Sequence, residues 1–484
     1  MKLSEMFDKA PEIEISELNF DSRIKTLNSL FFCVEGLVSD GHNYVAQAIE
    51  NGAKGIVHSK DIENKQKGIV YIKVENVVLT LNRVANKFFD YPSQKLKVYG
   101  VTGTNGKSTI AKIIRDVHGR FEACGYMGTI SISYGDVDLP PSLTTPDTIT
   151  IHRTLKAMVD ANMKAVALEV SSHGLELQRV NSIDFDVAIF TNLTYDHLDF
   201  HGTIENYFEA KKKLFKLIKK EGVSILNADD ASYSELLKVS SARVISYGIN
   251  NEANYRADQI SLGINGSTFK LIHNGNEYDV KTNLVAIYNI YNLLASIAAM
   301  HESGLELEDI LSCLNDLNQV DGRLERIDEG QPFNVFVDFA HTPDGLEKVF
   351  EYARLITEPQ RKIIAVFGSA GKRDTKKRKV FGSIASKYCD MIILTEDDPR
   401  DEEAREIANE IKSGIIDTNN IFIENRYDAI RQAIEMANVD DTVLILGKGD
   451  ETFIYRVLGR EPYLGDHLAA KEIIQKYYLG LEEV

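Results

Sequence analysis

The 484-residue sequence has only four cysteines, Cys33, Cys124, Cys313 and Cys389, far apart and with no CxxC pair. That scarcity argues against a disulfide framework or a structural zinc site and for buried thiols in a reducing compartment. Positive charge is also in short supply: 55 Lys and Arg against 72 Asp and Glu leave a formal charge of -17. A sequence-independent grip on DNA or RNA phosphates is therefore not expected, although local basic pockets remain open. No run approaches the ~18 apolar residues of a membrane span. The start, MKLSEMFDKAPEIEI, lacks the continuous apolar segment of a secretory signal. A cytoplasmic protein without stable membrane insertion is expected. Internal repeats and low-complexity tracts are missing too.

What is present is material for several cores: 44% of the residues are hydrophobic and 26% charged. At roughly 150 residues per domain the length suggests about three domains. Residues 1–97 alternate strand-like pieces (SLFFCVEG, GIVHS, GIVYIKV) with helical ones (VAQAIENGA, LTLNRVANKFFDY), as in a small α/β domain. Residues 98–330 hold apolar β-rich runs at 165–170, 186–193, 223–226 and 243–247, separated by helical patterns, which predicts a parallel sheet. The stretch 254–280 alternates like antiparallel hairpins. Residues 331–484 carry NVFVDFA, KIIAVFG, MIILTE, NIFIE and TVLILG at helix-length intervals, a Rossmann-like pattern. The expected fold class is α/β in three domains.

The segment Thr102-Gly103-Thr104-Asn105-Gly106-Lys107-Ser108-Thr109 sits where a strand enters a helix. Glycines there let backbone N–H groups approach phosphates, Lys107 can reach the β and γ oxygens, and Ser108 can ligate Mg²⁺. Val101 stands where the commonest spacing has glycine, so the loop is a variant. An ATP or GTP site follows, with Gly103 to Thr109 as its contacts. Glu169, at the end of the strand AVALEV, and His197, after VAIFTNL, are expected at the carboxyl edge of the same sheet, beside this loop.

Several further motifs accompany the loop in order: Asp21-Ser22-Arg23, Thr144-Thr145-Pro146, Glu169 to His173, Asn192 to Gly202, Asn289 to Asn292, Gly322 to Glu325, and Asp338 to Asp344. Together they resemble the Mur ligase family, ATP-dependent amide ligases of peptidoglycan precursor synthesis, over nearly the whole chain. The DSR, SSHGL and DFAHTPD segments are most similar to members that add the third amino acid to UDP-N-acetylmuramoyl-L-alanyl-D-glutamate. The resemblance implies carboxylate activation by ATP to an acyl phosphate, then attack by an amine, with Mg²⁺ and cationic side chains neutralising charge. It implies metal ligation by Ser108, Glu169, His197 and a carbamylated Lys211, catalytic roles for Lys107, Glu169, His197 and Lys211, and nucleotide contacts at Asn292, Arg323 and Asp338. Without it, the Lys211 to Lys213 run would read as a solvated helix face. Ser22, Arg23, Gly41 and His42 would hold the UDP end, and Thr144, Thr145, Ser172, Arg179 and His201 the muramoyl dipeptide. Ala286 occupies a position where family members usually have glycine. A monomer is expected.

In the C-terminal unit, three apolar strands are each followed by charged or glycine-rich segments: Gly371 to Asp374, Glu396 to Arg400, and Gly447 to Glu451. Strand ends in an open α/β sheet converge on a ligand crevice, and a mixed-charge cluster there suits a zwitterionic amino acid. Arg373 is the candidate for its α-carboxylate, with Asp397, Asp398, Arg400, Gly449 and Glu451 around it. Members adding meso-diaminopimelate carry Asp-Asn-Pro-Arg and Gly-Lys-Gly-His-Glu; here Asp398 and Asp450 put two acids in those segments. Two added carboxylates favour L-lysine and repel a second carboxylate, whereas the retained Arg400 favours meso-diaminopimelate. The expectation is L-lysine, with meso-diaminopimelate as the alternative and ornithine a more distant one. A P-loop kinase or NTPase, a folylpolyglutamate synthetase-like ligase and a non-catalytic binder of the UDP-sugar peptide compete with this reading.

Overall fold

A computed structural model describes residues 1–36, 39–141 and 143–480. The N-terminal sheet is parallel, in the order Glu17–Asn19, Ser29–Phe32, Ala53–His58, Val70–Lys73. Leu30, Phe32 and Val57 pack under the helix Val77–Phe88, which buries Val77, Leu81, Val84 and Ala85. Asn76 starts this helix by accepting the Leu79 N–H at 2.9 Å, satisfying one of its orphan donors.

The central sheet has 11 strands. Lys97–Thr102 lies between Ala165–Glu169 and Phe185–Phe190, parallel to both. Its side chains are covered on both faces, Tyr99 and Val101 on one and Val98 on the other, as a near-continuous apolar run requires. The helices Lys107–His118 and Ile287–Glu302 cover the first face and Thr148–Asp160 the second. Each of Ile110, Ile113, Ile114 and Val117 is fully or almost fully buried, a gain of roughly 1.5–3 kcal/mol apiece over exposure. The expected hairpins form from Tyr255–Gly263, Gly266–His273 and Asn276–Thr282, and they extend the central sheet at one edge.

The third sheet has six strands, parallel except for its outer strand Glu325–Ile327, which lies ahead of the start expected at residue 331. The helix Ile287–Glu302 begins at Ala286, whose φ of 69° and ψ of 150° belong to a region essentially reserved for glycine. The alanine therefore sits strained where the resemblance led one to expect glycine. Among the described residues no helix is long and apolar enough to cross a membrane.

Candidate active site

The strand Lys97–Thr102 ends at the middle of its sheet, and the chain turns through Gly103 and Gly106, with φ of 146° and 90°, into the helix Lys107–His118. A Cβ on Gly103 would lie 1.8 Å from Thr191 Oγ1, and one on Gly106 2.5 Å from Asn292 Oδ1. Conformation and space both demand glycine here. The loop is pinned from the neighbouring strand: Asn105 N–H donates to Asn192 Oδ1 at 2.9 Å, and Thr191 Oγ1 donates to the Asn105 carbonyl at 2.6 Å. Helix residues Lys107 to Thr109 therefore present an N-terminus, with its unpaired N–H groups, to the adjoining cavity.

Glu169 is fully buried at the end of its strand. Its carboxylate accepts from Ser108 Oγ (3.0 Å), Tyr126 OH (2.6 Å), Thr129 N–H (2.9 Å) and Thr129 Oγ1 (3.1 Å). Thr129 Oγ1 also lies 3.1 Å from Thr144 Oγ1. This oxygen-rich group suits a hard divalent cation such as Mg²⁺.

Two lysine side chains crowd one carbonyl: Lys107 Nζ is 3.1 Å and Lys211 Nζ 2.7 Å from the oxygen of Gly103. Burial, and then the charge of Lys107, push the Lys211 amine well below the ordinary lysine range. Lys211 also lies 4.2 Å from the centre of the Tyr207 ring. A neutral amine in that place is what carbamate formation by CO₂ requires, and the product would replace a cation by anionic oxygens beside the phosphate loop. His197, at a φ of 52°, holds its Nε2 3.3 Å from Asp196 Oδ2. Burial pushes its imidazole down to about 3 against the pull of Asp196, leaving it neutral and able to ligate.

These groups line one cavity of about 510 Å³, within the usual range for small-ligand sites. Thr104 to Thr109, Thr144, Glu169, Ser172, His197, Lys211, Asn292, Arg323, Asp338 and Glu451 all reach it. Segments of the C-terminal unit close it: Asp344 Oδ2 accepts from Asn105 Nδ2 at 3.0 Å, and His341, which lines the cavity, has its carbonyl held within that unit by Lys377 Nζ at 2.8 Å. Burial raises Asp338 to about 6 despite Arg323 nearby, and its carboxylate accepts the backbone N–H groups of Leu324 and Ala340.

Other expected contacts lie elsewhere. Thr145 is fully buried and its hydroxyl is spent on the Glu169 carbonyl and the Ser171 N–H, each at 2.8 Å, so it holds backbone and does not face the cavity. Arg179 donates to the Thr145 carbonyl at 2.8 Å, and His201 Nε2 meets Ser172 Oγ at 3.0 Å. In the N-terminal unit Ser22 Oγ donates to Gln47 at 2.7 Å and Arg23 forms a bidentate pair with Asp21. His42 is tied between Asp40 and the N–H of Ser59, and Gly41 leaves no room for a Cβ against Cys33 and Val34.

The mixed-charge cluster expected at the three C-terminal strand ends does not form as one open receptor. Arg373 is half-exposed, 3.6 Å from Asp199 of the central unit. Arg400 rests on the Tyr455 ring at 5.4 Å. Asp398 accepts from the buried Lys448 at 2.8 Å and from the Tyr455 N–H at 3.0 Å, while Glu451 takes a second bond from Lys448 at 2.5 Å. Burial raises Asp397 and raises Glu451 to about 7. Asp450 faces Arg323 at 3.4 Å, whose guanidinium lies over the Phe339 ring, and Gly449 packs against Gly322. Neither added carboxylate is therefore free to repel a substrate carboxylate.

Tyr126, Thr129, Asp196, Tyr207, Asp229, His341 and Lys448 were not singled out as site residues in the sequence. Asp196 and His341 lay inside the quoted motifs, and the strand-plus-turn position of Thr129 gave no signal of its own. Asp229 is gripped by the N–H groups of Ile249, Asn250 and Asn251 and by Tyr291 OH at the cavity's edge.

Comparison with known proteins completes the picture. The family model described as Mur ligase middle domain matches residues 101–300, and that described as Mur ligase, glutamate ligase domain matches 322–449. A protein of Clostridium acetobutylicum called UDP-N-acetylmuramoyl-L-alanyl-D-glutamate–2,6-diaminopimelate ligase 1 is 39% identical over 471 residues, 96% of this chain and 95% of its own. The like-named ligase of Caldanaerobacter subterraneus is 38% identical over 93% of this chain and 92% of its own. A solved structure of such a ligase superposes with a TM-score of 0.69 at 26% identity, covering 99% of both chains. MurF ligase from Thermotoga maritima in complex with ADP shares the fold, with a TM-score of 0.65 at 18% identity, over 97% of this chain and 100% of its own. With the P-loop, the Glu169 oxygens and the C-terminal closing segments gathered at one cavity, and with relatives of this identity along almost its full length, the chain belongs to the Mur ligase family of ATP-dependent ligases.

Proposed function

We propose that the protein joins meso-diaminopimelate to UDP-N-acetylmuramoyl-L-alanyl-D-glutamate at the expense of ATP, in the cytoplasm, as a step of peptidoglycan precursor synthesis. The observation that carries the amino acid is the pairing of Asp398 with Lys448 and of Asp450 with Arg323. Paired acids exert little repulsion on a second carboxylate, so the charge argument for L-lysine loses both of its terms. The names of the relatives point the same way, and the expectation of L-lysine is not supported.

In this reading the first unit, 1–97, holds the UDP end through Ser22 and Arg23, the second, 98–330, holds ATP, and the third, 331–484, brings the amino acid. Gly103 to Thr109 cradle the phosphates, and Asn292, Arg323 and Asp338 frame the nucleotide. Lys107 lies along the phosphate loop and neutralises charge that grows as the γ-phosphoryl passes to the substrate carboxylate. Ser108, Glu169, His197 and carbamylated Lys211 would hold Mg²⁺, which supplies further charge neutralisation. Thr144 and Ser172, which line the cavity, orient the dipeptide so that its carboxylate meets the phosphoryl group, with His201 and Arg179 behind them holding Ser172 Oγ and the Thr145 carbonyl. Closure of the third unit over the second, through the bond between Asp344 and Asn105, excludes water from the acyl phosphate.

The test is phosphate release from ATP with the UDP-muramoyl dipeptide, supplying meso-diaminopimelate and L-lysine in parallel and weighing the product by mass spectrometry. Turnover with meso-diaminopimelate alone is expected. Turnover confined to L-lysine would overturn the amino acid assignment, and ATP hydrolysis indifferent to the dipeptide would overturn the ligase reading itself.

A further inference from the structure

Away from the cavity, at the other end of the helix Ile287–Glu302, three side chains that the reaction does not use come together. His301 and Glu302 close that helix and His273 ends the strand Gly266–His273. One ligand atom from each of His273, His301 and Glu302 lies within 4.8 Å of the other two.

The hydrogen bonds decide which ring nitrogens carry lone pairs. His273 Nδ1 is 2.9 Å from the carbonyl oxygen of Asn254, which can only accept, so Nδ1 bears the proton and Nε2 does not. The Tyr255 hydroxyl donates its single proton to Glu302 Oε1 at 2.8 Å and stands 2.6 Å from His301 Nδ1. His301 Nδ1 must then be the donor, and its Nε2 also keeps a lone pair. Burial and the neighbouring His273 hold the His301 ring below the ordinary histidine range, in its neutral form. Glu302 is anchored a second time by Arg243 at 2.6 Å. Imidazoles whose outer N–H groups are held by oxygen acceptors, next to an anchored carboxylate, form the supporting shell that orients metal ligands.

The other gathering of such groups, Glu35, Asp40 and His42, lacks this arrangement. There the Lys60 ammonium pairs with both acids, so a cation already stands where a metal ion would.

We propose that His273, His301 and Glu302 form a binding site for a divalent metal ion of the zinc class, separate from the nucleotide cavity. Two imidazole nitrogens and one carboxylate oxygen are a donor set zinc accepts, with the fourth position left to water. Metal–nitrogen bonds of about 2.0–2.1 Å would set the donors roughly 3.3 Å from one another, within the 4.8 Å inside which these ligand atoms already lie. The contact between His273 Nε2 and the Asn274 amide is the one that gives way. The bound ion would tie the hairpin to a helix whose first turns carry Asn289 and Asn292, the latter at the nucleotide cavity.

The experiment is calorimetric titration of the full chain with Zn²⁺ in millimolar Mg²⁺, repeated with Co²⁺ to read its visible absorption. One equivalent is expected. It should be retained by Glu169→Gln, lost in His273→Ala and His301→Ala, and weakened at least tenfold in Glu302→Gln, with His273→Gln as a milder variant and circular dichroism confirming the fold of each. Absence of a stoichiometric equivalent, or its persistence in the His273→Ala, His301→Ala double variant, would overturn the proposal.

Discussion

The two lysines on the Gly103 carbonyl are the sharpest electrostatic feature at the scale of single residues. Lys211→Ala is expected to lower kcat by about 10²–10³-fold, as the loss of one charge-stabilising group typically does. Protein equilibrated with ¹³CO₂ should show a carbamate carbon by NMR that Lys211→Arg lacks; its absence would mean that the amine stays free. Ala286 offers a stability test. Relief of roughly 2 kcal/mol of backbone strain outweighs the lost methyl contact and added chain entropy, so Ala286→Gly should gain about 0.5 kcal/mol in denaturant unfolding and Ala286→Val should lose stability. Lys107, Ser108 and Glu169 were legible in the sequence because a strand, a glycine turn and a helix fix their relative places within a few residues. Asp450 was not, because its meaning rests on Arg323, a partner 127 residues away; a sequence counts charges without pairing them. The same blindness made Asp398 look free when it is bound to Lys448.

Elements were legible where one local rule sufficed. Strands buried on both faces, such as Ile363–Phe367 and Thr442–Leu446, are unbroken apolar runs, and the hairpins Tyr255–Gly263 to Asn276–Thr282 alternate. The order of strands, and the fusion of those hairpins to the central sheet, depend on long-range pairing that periodicity does not encode. At this scale the helix Arg426–Met436 is tied to the helix Asp466–Ile473 by a fully buried ion pair, Arg426 with Asp466, at 2.7 Å for both bonds. Arg426 also donates to the Glu396 and Leu446 carbonyls at two strand ends. Asp466→Ala leaves that guanidinium buried without its counter-charge and is expected to cost about 3–5 kcal/mol, read as a lower urea midpoint. Arg426→Met with Asp466→Leu should recover much of the loss, since the pair's attraction is offset by its own desolvation.

The whole molecule should respond to acid with a definite sign. Burial pushes His152, His173 and His341 down to about 4, so between pH 6.5 and 4 the unfolded chain binds more protons than the folded one. Stability therefore falls as the pH drops through that window. The buried carboxyls Asp338, raised to about 6, Glu451, raised to about 7, and Asp397 and Asp450, also raised, act in the opposite direction; they are outnumbered by the histidines, since His197, down to about 3, and the lowered His58, His118, His201 and His301 add to the three named. The melting temperature is expected to decline from pH 7 to pH 4, and His152→Leu, which replaces a fully buried ring with neither nitrogen bonded, should flatten the decline; an unchanged slope would remove His152 from the account. The topology of the central sheet has a further consequence, in time. The phosphate-loop strand Lys97–Thr102 is made first, yet both of its neighbours, Ala165–Glu169 and Phe185–Phe190, come later in the chain. At 5–20 residues per second a ribosome leaves it unpartnered for roughly 3–18 s. For that interval a two-faced apolar strand is exposed on the nascent chain, and force measured on stalled ribosomes should register the central sheet only after residue 190 has emerged, which makes early synthesis the moment when this protein most needs a chaperone.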